Sequence, residues 1–257
     1  MSGPPVEFVA HRGESHDAPE NTLAAFRLAW ERGIRTVELD VRLTADGRLI
    51  VCHDADTKRT TGISRLIAET PLAELQTLDA GSYKGPEWAG QRLPTLEEVV
   101  AAQPAHGCLW IEVKSGPPTV EVLHQLLGAS GLRPDQYAII SFDDEVVRLA
   151  RQAFPQSKTY LISAFRRGTK RGEWFPPMEE LTQRALTIGA TGVNVHFIGP
   201  VTTRTARLVH ENGLELGVWT VDNPVIAKRL IRVGVDTITS NRASWLRDQL
   251  CSETEAG

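Results

Sequence analysis

The chain has little of what marks several protein classes. Among its 257 residues are three cysteines, Cys52, Cys108 and Cys251, odd in number, far apart and without a C-x-x-C pair. That argues against a disulfide framework and against a structural zinc site, and it fits a reducing compartment. Nowhere do about 18 apolar residues run together, as a membrane-crossing helix requires. The start, MSGPPVEFVAHRG, shows neither the basic region nor the apolar run of a secretory signal. The expected location is cytoplasmic. An excess of charge of one sign is also missing: 28 Lys and Arg face 32 Asp and Glu, for a net charge of −4. A dedicated nucleic-acid binder usually carries a basic domain, so that class is disfavoured, while a local basic pocket for a small phosphate-bearing molecule is not. There are no internal repeats and no low-complexity tracts.

What is there is an ordinary globular composition, 41% hydrophobic and 23% charged, at a length of about 250 residues that suits one α/β barrel. Short β-rich runs alternate with helical patterns. Strands are expected at 6–11, 36–42, 108–114, 137–142, 158–163, 192–197, 215–221 and 235–239. Helices are expected near 21–32, 95–104, 118–129, 143–153, 178–189, 202–212, 223–232 and 243–250, where apolar residues such as Leu23, Phe26 and Trp30 recur at three- and four-residue spacing. Eight strand–helix units imply a parallel sheet closed into a (β/α)8 TIM barrel, with residues 1–257 forming a single catalytic domain. The runner-up, an open doubly wound sheet, lacks its Gly-rich nucleotide fingerprint after the first strand.

An extra strand over 48–53 follows the second. Asp46-Gly47 is a strong signal for a two-residue hairpin, which sets Asp40 directly opposite His53. Residues 54–93 are too long for a usual strand-to-helix loop and read as a small insertion over the mouth of the barrel, where active sites of this architecture sit. The segment 165–175 is a second long loop at that face, rich in Arg, Lys and aromatic residues.

Strand alternation sorts the side chains. Val37, Leu39, Val41, Leu109, Ile111 and Val113 face the helices, whereas Glu38, Asp40, Arg42, Glu112 and Lys114 face inward. Glu38, Asp40 and Glu112 thereby converge. Carboxylates gathered in a medium of low dielectric repel unless compensated, and two compensations are open: a hard divalent cation, or a salt-bridge network with Arg12, Arg42 and Lys114. His11 and His53 lie at the same face beside carboxylates, which favour the imidazolium form. As a pair they suit general acid and base chemistry. Arg12 and Lys114 offer positive charge to an anionic oxygen. Phe142 and Trp219, at strand ends, could wall the pocket or simply pack.

The series AHRG, PENTLAAF, ELDVRLTADGRLIVCHD, RTT, DAGS, LPTLEEVV, IEVK, ISF and VWTVDN resembles, in order and spacing, the glycerophosphodiester phosphodiesterase family, from about residue 8 to 246. The resemblance implies a metal-dependent barrel that hydrolyses glycerophosphodiesters to glycerol 3-phosphate and an alcohol. It implies Glu38, Asp40 and Glu112 as ligands of Mg²⁺ or Ca²⁺, and His11 and His53 as the acid/base pair. Arg12 and Lys114 become phosphate contacts, and Glu20 and Asn21, in PENT, supporting residues near the first strand. One departure stands out: TITSNR places Ser240 where many relatives carry an aspartate. The expected partner is a small glycerophosphodiester, with no nucleic acid and no transmembrane segment; peripheral lipid contact at 165–175 stays open, as does the oligomeric state. Two other readings remain: a phospholipase-D-like hydrolase of lysophospholipids, and an inactive barrel serving as a binding module.

Overall fold

A computed structural model describes residues 6–170 and 172–251. Among the described residues eleven strands occur in chain order: β1 (Glu7–Ala10), β2 (Thr36–Leu43), β3 (Leu49–Val51), β4 (Cys108–Val113), β5 (Tyr137–Ser141), β6 (Lys158–Ser163), β7 (Arg166–Arg167), β8 (Trp174–Phe175), β9 (Gly192–His196), β10 (Glu215–Trp219) and β11 (Thr237–Ser240). Eight of them are parallel and follow one another around a ring, β1-β2-β4-β5-β6-β9-β10-β11, which the β1–β11 pairing closes. The α-helices among the described residues are α1 (Leu23–Glu31), α2 (Lys58–Thr61), α3 (Leu72–Leu75), α4 (Leu96–Ala102), α5 (Pro118–Ser130), α6 (Asp144–Ala153), α7 (Met178–Thr187), α8 (Thr203–Glu211), α9 (Pro224–Val233) and α10 (Ala243–Cys251). Each ring strand is followed, directly or after an excursion, by a helix of at least seven residues, so the fold is a TIM barrel.

The outer faces of the strands pack on the helices. Val37, Leu39, Val41, Leu109, Ile111 and Val113 join Phe26, Trp30, Leu96 and Leu123 in one buried cluster. Helix starts are fixed locally: Thr22, Asp143, Thr202 and Asn223 cap with their own oxygens, and Thr95 and Glu98 form a reciprocal capping box at α4. Inside the ring, the N-terminal half is plugged. Trp110 and Tyr160 stack at 4.6 Å beside Val9, Ala138, Ile140 and Ile162. Gly192 makes room for this plug, because a Cβ there would lie 2.5 Å from the Tyr160 ring. Glu112, one layer beyond Trp110 on the same face of β4, faces the C-terminal mouth.

The β2–β3 hairpin corrects the expected register. Val41 pairs with Val51, Arg42 with Ile50 and Leu43 with Leu49. Asp40 therefore faces Cys52, whose N–H donates to the Asp40 carbonyl at 2.9 Å, and not His53. The loop holds three residues, Ala45–Gly47, with Gly47 at φ 71°. A type I turn closed by a left-handed glycine adds one residue to the two-residue loop that Asp-Gly suggests. The strand also stops at Val51, and Arg42 turns away from the ring to donate twice to the His53 carbonyl, at 2.7 and 2.9 Å. That grip swings His53 towards the mouth although it is out of ladder register.

The insertion has a core of its own, in which Ile67, Leu72, Leu75, Leu78 and Leu93 cover Ile50 and Cys52. It reaches the β1–α1 loop: the Glu20 N–H donates to the Tyr83 hydroxyl at 3.0 Å and the Lys84 ammonium to the Ser15 carbonyl at 2.7 Å. The loop at 165–175 carries the small β7–β8 hairpin, whose exposed Arg167 lies over the Trp174 ring at 5.2 Å.

Candidate active site

Register places the acids. Asp40 on β2 pairs with Glu112 on β4, so both point inward from one layer, with Glu38 one layer below on the same face. One ligand oxygen from each of Glu38, Asp40 and Glu112 lies within 4.8 Å of the others, and all three residues are buried. Three of their buried oxygens, Glu38 Oε1, Asp40 Oδ1 and Glu112 Oε1, have no well-formed hydrogen bond. The Lys114 ammonium approaches the last two as an ion pair, at 3.2 and 2.5 Å. Arg12 adds a second cation, its Nε 3.2 Å from Asp40 Oδ2.

Two cations against three carboxylates leave the cluster short of positive charge. Burial, then the charges of Asp40 and Glu112, push Glu38 well above the usual carboxylate range. Burial and Asp40 push Glu112 up to about 7. Asp40 alone goes down: burial opposes ionisation, but the charges of Lys114 and Arg12 outweigh it. Hard oxygens, buried, under-bonded and mutually repelling, have the make-up of a divalent-cation site. The salt-bridge network also exists in part, through Arg12 and Lys114. Arg42 takes no part in it, because it holds the His53 backbone.

The HRG and PENT segments support this centre with unusual backbone. Arg12 and Asn21 sit at φ 55° and 57°, a region that non-glycine residues rarely adopt and that over-determined functional sites tolerate. The Arg12 N–H donates to Glu38 Oε2 at 2.9 Å and its Nη1 to Glu20 at 2.8 Å. The Asn21 amide clasps Asp40, donating to Oδ2 at 2.8 Å and accepting from the Asp40 N–H at 3.2 Å. Gly13 is required where it stands: at φ 80°, a Cβ would lie 2.5 Å from the Ala25 backbone.

His11, Arg12, Glu38, His53, Glu112, Lys114 and Trp219 line one cavity of about 210 Å³ at the C-terminal mouth. That is smaller than the roughly 300–1,000 Å³ typical of drug-sized ligand pockets. A larger groove of about 660 Å³ on the outer wall between α4 and α5 gathers no comparable set of polar groups. Phe142 does not line the cavity. It is exposed, and its ring meets Trp219 edge-on at 5.7 Å.

The histidines depart from the expected charge. Burial and then Arg12 lower His11 to about 4. Burial lowers His53 as well, against the opposing pull of Asp40. Carboxylate neighbours do not make imidazolium here, because desolvation and the Arg12 charge prevail. His53 Nδ1 is 2.7 Å from Asp54 Oδ1, and Asp54 is in turn held by Arg59 at 2.6 Å. Arg59 also reaches Glu20, at 2.7 and 2.8 Å. Asp54 and Arg59 are thus part of the site and were missed from the sequence. The HD and RTT segments contained them, but only the fold shows what they touch.

The fold and this centre define a TIM barrel with a buried carboxylate cluster suited to a divalent cation and two imidazoles at its mouth. The glycerophosphoryl diester phosphodiesterase family model matches residues 11–244, and the chain belongs to that family. It is 36% identical over 246 residues to the Bacillus subtilis protein YhdW, covering 93% of this chain and 96% of that one. It is 33% identical to a glycerophosphodiester phosphodiesterase of Caldanaerobacter subterraneus subsp. tengcongensis, over 91% of this chain and 93% of the relative. Among solved structures, an Oleispira antarctica phosphodiesterase in complex with the product sn-glycerol-3-phosphate superposes with a TM-score of 0.84 at 27% identity, covering 94% of this chain and 95% of that one.

Proposed function

We propose that the chain hydrolyses glycerophosphodiesters to glycerol 3-phosphate and an alcohol, with the chemistry carried by the C-terminal mouth of a single catalytic barrel. The observation that carries this reading is the buried, under-compensated triad of Glu38, Asp40 and Glu112, of which Glu38 and Glu112 line the same small cavity as His11 and His53. The triad would hold Mg²⁺ or Ca²⁺, both of which prefer oxygen ligands. A cation held there would draw negative charge from the phosphoryl oxygens.

The chain's own residues do the rest. Arg12 and Lys114 face the cavity as cations and would contact the phosphate; Glu20 orients Arg12, and Asn21 orients Asp40. One imidazole takes a proton from the nucleophile and the other delivers one to the leaving alkoxide. His53 suits either task, since Asp54, an acceptor only, holds the proton on Nδ1 and leaves Nε2 for the cavity. Trp219 forms an apolar wall for the glycerol or alcohol portion, with Phe142 buttressing it from outside. The small cavity supports a headgroup-sized substrate over an acylated one. The β7–β8 hairpin, where Arg166 and Arg167 are exposed, is the surface for peripheral lipid contact. Cys52 and Cys108, both buried and outside any disulfide, support placing the enzyme in the cytoplasm. No helix among the described residues is long and apolar enough to cross a membrane.

The test is release of glycerol 3-phosphate from a panel of glycerophosphodiesters and lysophospholipids, before and after exhaustive chelation and with Mg²⁺ or Ca²⁺ restored. Turnover of the water-soluble diesters that disappears with EDTA and returns with either ion is expected. Preference for lysophospholipids would favour the phospholipase-D-like reading, and no turnover on any of them the binding module. Undiminished turnover after chelation would remove the cation from the account.

A further inference from the structure

The side of His11 away from the cavity is built from the far end of the chain. The His11 N–H donates to the Ser240 carbonyl at 2.9 Å, which ties the end of β1 to the end of β11. The ring Nδ1 lies 2.7 Å from Asn241 Oδ1, and the Ser15 hydroxyl donates to the same oxygen at 3.1 Å. Behind Asn241 stands Asp222, from the loop after β10. The Asn241 Nδ2 donates to Asp222 Oδ2 at 2.7 Å, the Asn241 N–H to Oδ1 at 2.8 Å, and the Ser240 hydroxyl to Oδ1 at 2.8 Å.

An asparagine amide is ambiguous by itself, because either end can face a neighbour. Here Asp222 removes the ambiguity. A carboxylate only accepts, so the amide NH₂ must face it. A flipped amide would set its oxygen against carboxylate oxygens and its NH₂ against His11. The amide oxygen therefore faces the ring, and Nδ1 must carry the proton. Nε2 is left to face the cavity, 3.9 Å from Glu38 Oε2. The conclusion holds for the neutral and the protonated ring alike, since Nδ1 donates in both.

We propose that Asn241, clamped by Asp222, is a positioning residue that fixes the tautomer and orientation of His11 so that Nε2 is the nitrogen presented to substrate. The proposal rests on the reading of His11 as an acid/base group. It also gives Ser240 a purpose: its hydroxyl helps hold Asp222 in place. The two histidines are steered differently, His53 by a carboxylate next in sequence and His11 by a neutral amide about 230 residues away.

The experiment compares Asn241→Ala, the exchange Asp222→Asn with Asn241→Asp, and Asn241→Ala in a His11→Ala background, using the full chain with Mg²⁺. Asn241→Ala is expected to lower kcat on the order of 10- to 100-fold with KM little changed, less than the roughly 10²- to 10⁴-fold that proton transfer itself is worth. The exchange keeps an acceptor facing His11 and a donor facing residue 241, so it is expected to restore kcat to about wild type. In the His11→Ala background, Asn241→Ala is expected to change nothing further. Nitrogen-detected spectra of ¹⁵N-histidine-labelled protein read the tautomer directly, with the His11 proton on Nδ1 in the wild type and redistributed in Asn241→Ala. A His11 proton on Nε2 in the wild type, or an Asn241→Ala penalty as large without His11 as with it, would overturn the proposal. Wild-type turnover by His11→Ala with a normal wild-type tautomer would instead strike the acid/base reading of His11, and the catalytic purpose of the clamp with it.

Discussion

Glu38→Gln separates the cost of gathering carboxylates from the benefit of holding a cation. The substitution keeps the shape of the side chain, and the Gln oxygen can still accept the Arg12 N–H that reaches Glu38 Oε2 at 2.9 Å. It removes one charge from a cluster whose ligand oxygens lie within 4.8 Å of one another. At an effective dielectric of about 20, each such pair repels by about 3.5 kcal/mol. Glu38 faces two of them, opposed by the nearby Arg12 charge and its hydrogen bond, so a net relief of about 2 kcal/mol is a reasonable expectation. The sign with pH follows from burial, which with Asp40 and Glu112 raises Glu38 well above its ordinary 4.5. A carboxyl raised in the folded state costs nothing below its unfolded value and costs progressively more as pH rises towards its folded value. In chelator at mildly alkaline pH, Glu38→Gln should therefore melt higher than wild type, by about 4–8 °C for a chain of this size. Saturating Mg²⁺ should reverse the order. A cation present at 100 times its Kd adds about 2.7 kcal/mol to a protein that binds it, and the variant forfeits most of that. The assay is a pair of thermal melts for each protein, with EDTA and with Mg²⁺. A variant less stable than wild type in EDTA, or one gaining as much from Mg²⁺, would refute the picture of a repelling triad neutralised by an ion.

Other substitutions test separate parts. His53→Ala should cut kcat by about 10²- to 10⁴-fold, checked by steady-state release of glycerol 3-phosphate; near-normal turnover would remove it from the chemistry. Asp54→Asn should act on stability at low pH. Partial burial opposes it, but hydrogen bonds from Arg59 and His53 hold Asp54 at about 2. A depressed carboxylate stabilises the fold above its unfolded value near 4 and loses that contribution as pH falls towards 2. Acid-unfolding curves of the variant should therefore be flatter between pH 4 and 2, and an unchanged curve would contradict the assignment. Gly13→Ala should cost roughly 2–4 kcal/mol, from a left-handed φ and a Cβ forced against the Ala25 backbone; a melting temperature within a degree of wild type would show that the close approach is not real.

What the sequence revealed and what it hid have one physical cause. Inward and outward faces were legible because β2 and β4 alternate strictly and pair in parallel, so side chains of one phase enter one layer whatever the rest of the chain does. Glu38, Asp40 and Glu112 needed no more than that. The hairpin was half legible. Asp46-Gly47 marked the turn, but a left-handed Gly47 closes two-residue and three-residue loops alike. The extra residue exchanged His53 for Cys52 opposite Asp40. His53 still reaches the cavity, because the ladder ends at Val51 and the Arg42 guanidinium holds the next bend. Its position rests on a side-chain bond that no periodicity encodes. The charge state of the imidazoles was misjudged for a related reason: neighbouring carboxylates are visible in a motif, whereas desolvation belongs to the assembled barrel. The hidden residues follow the same rule. Asn241, with Asp222 behind it, meets His11 only because β11 closes on β1. In a closed barrel the first and last strands are neighbours. The partners of a residue on β1 therefore belong partly at the far end of the chain, where local reading assigns them no role.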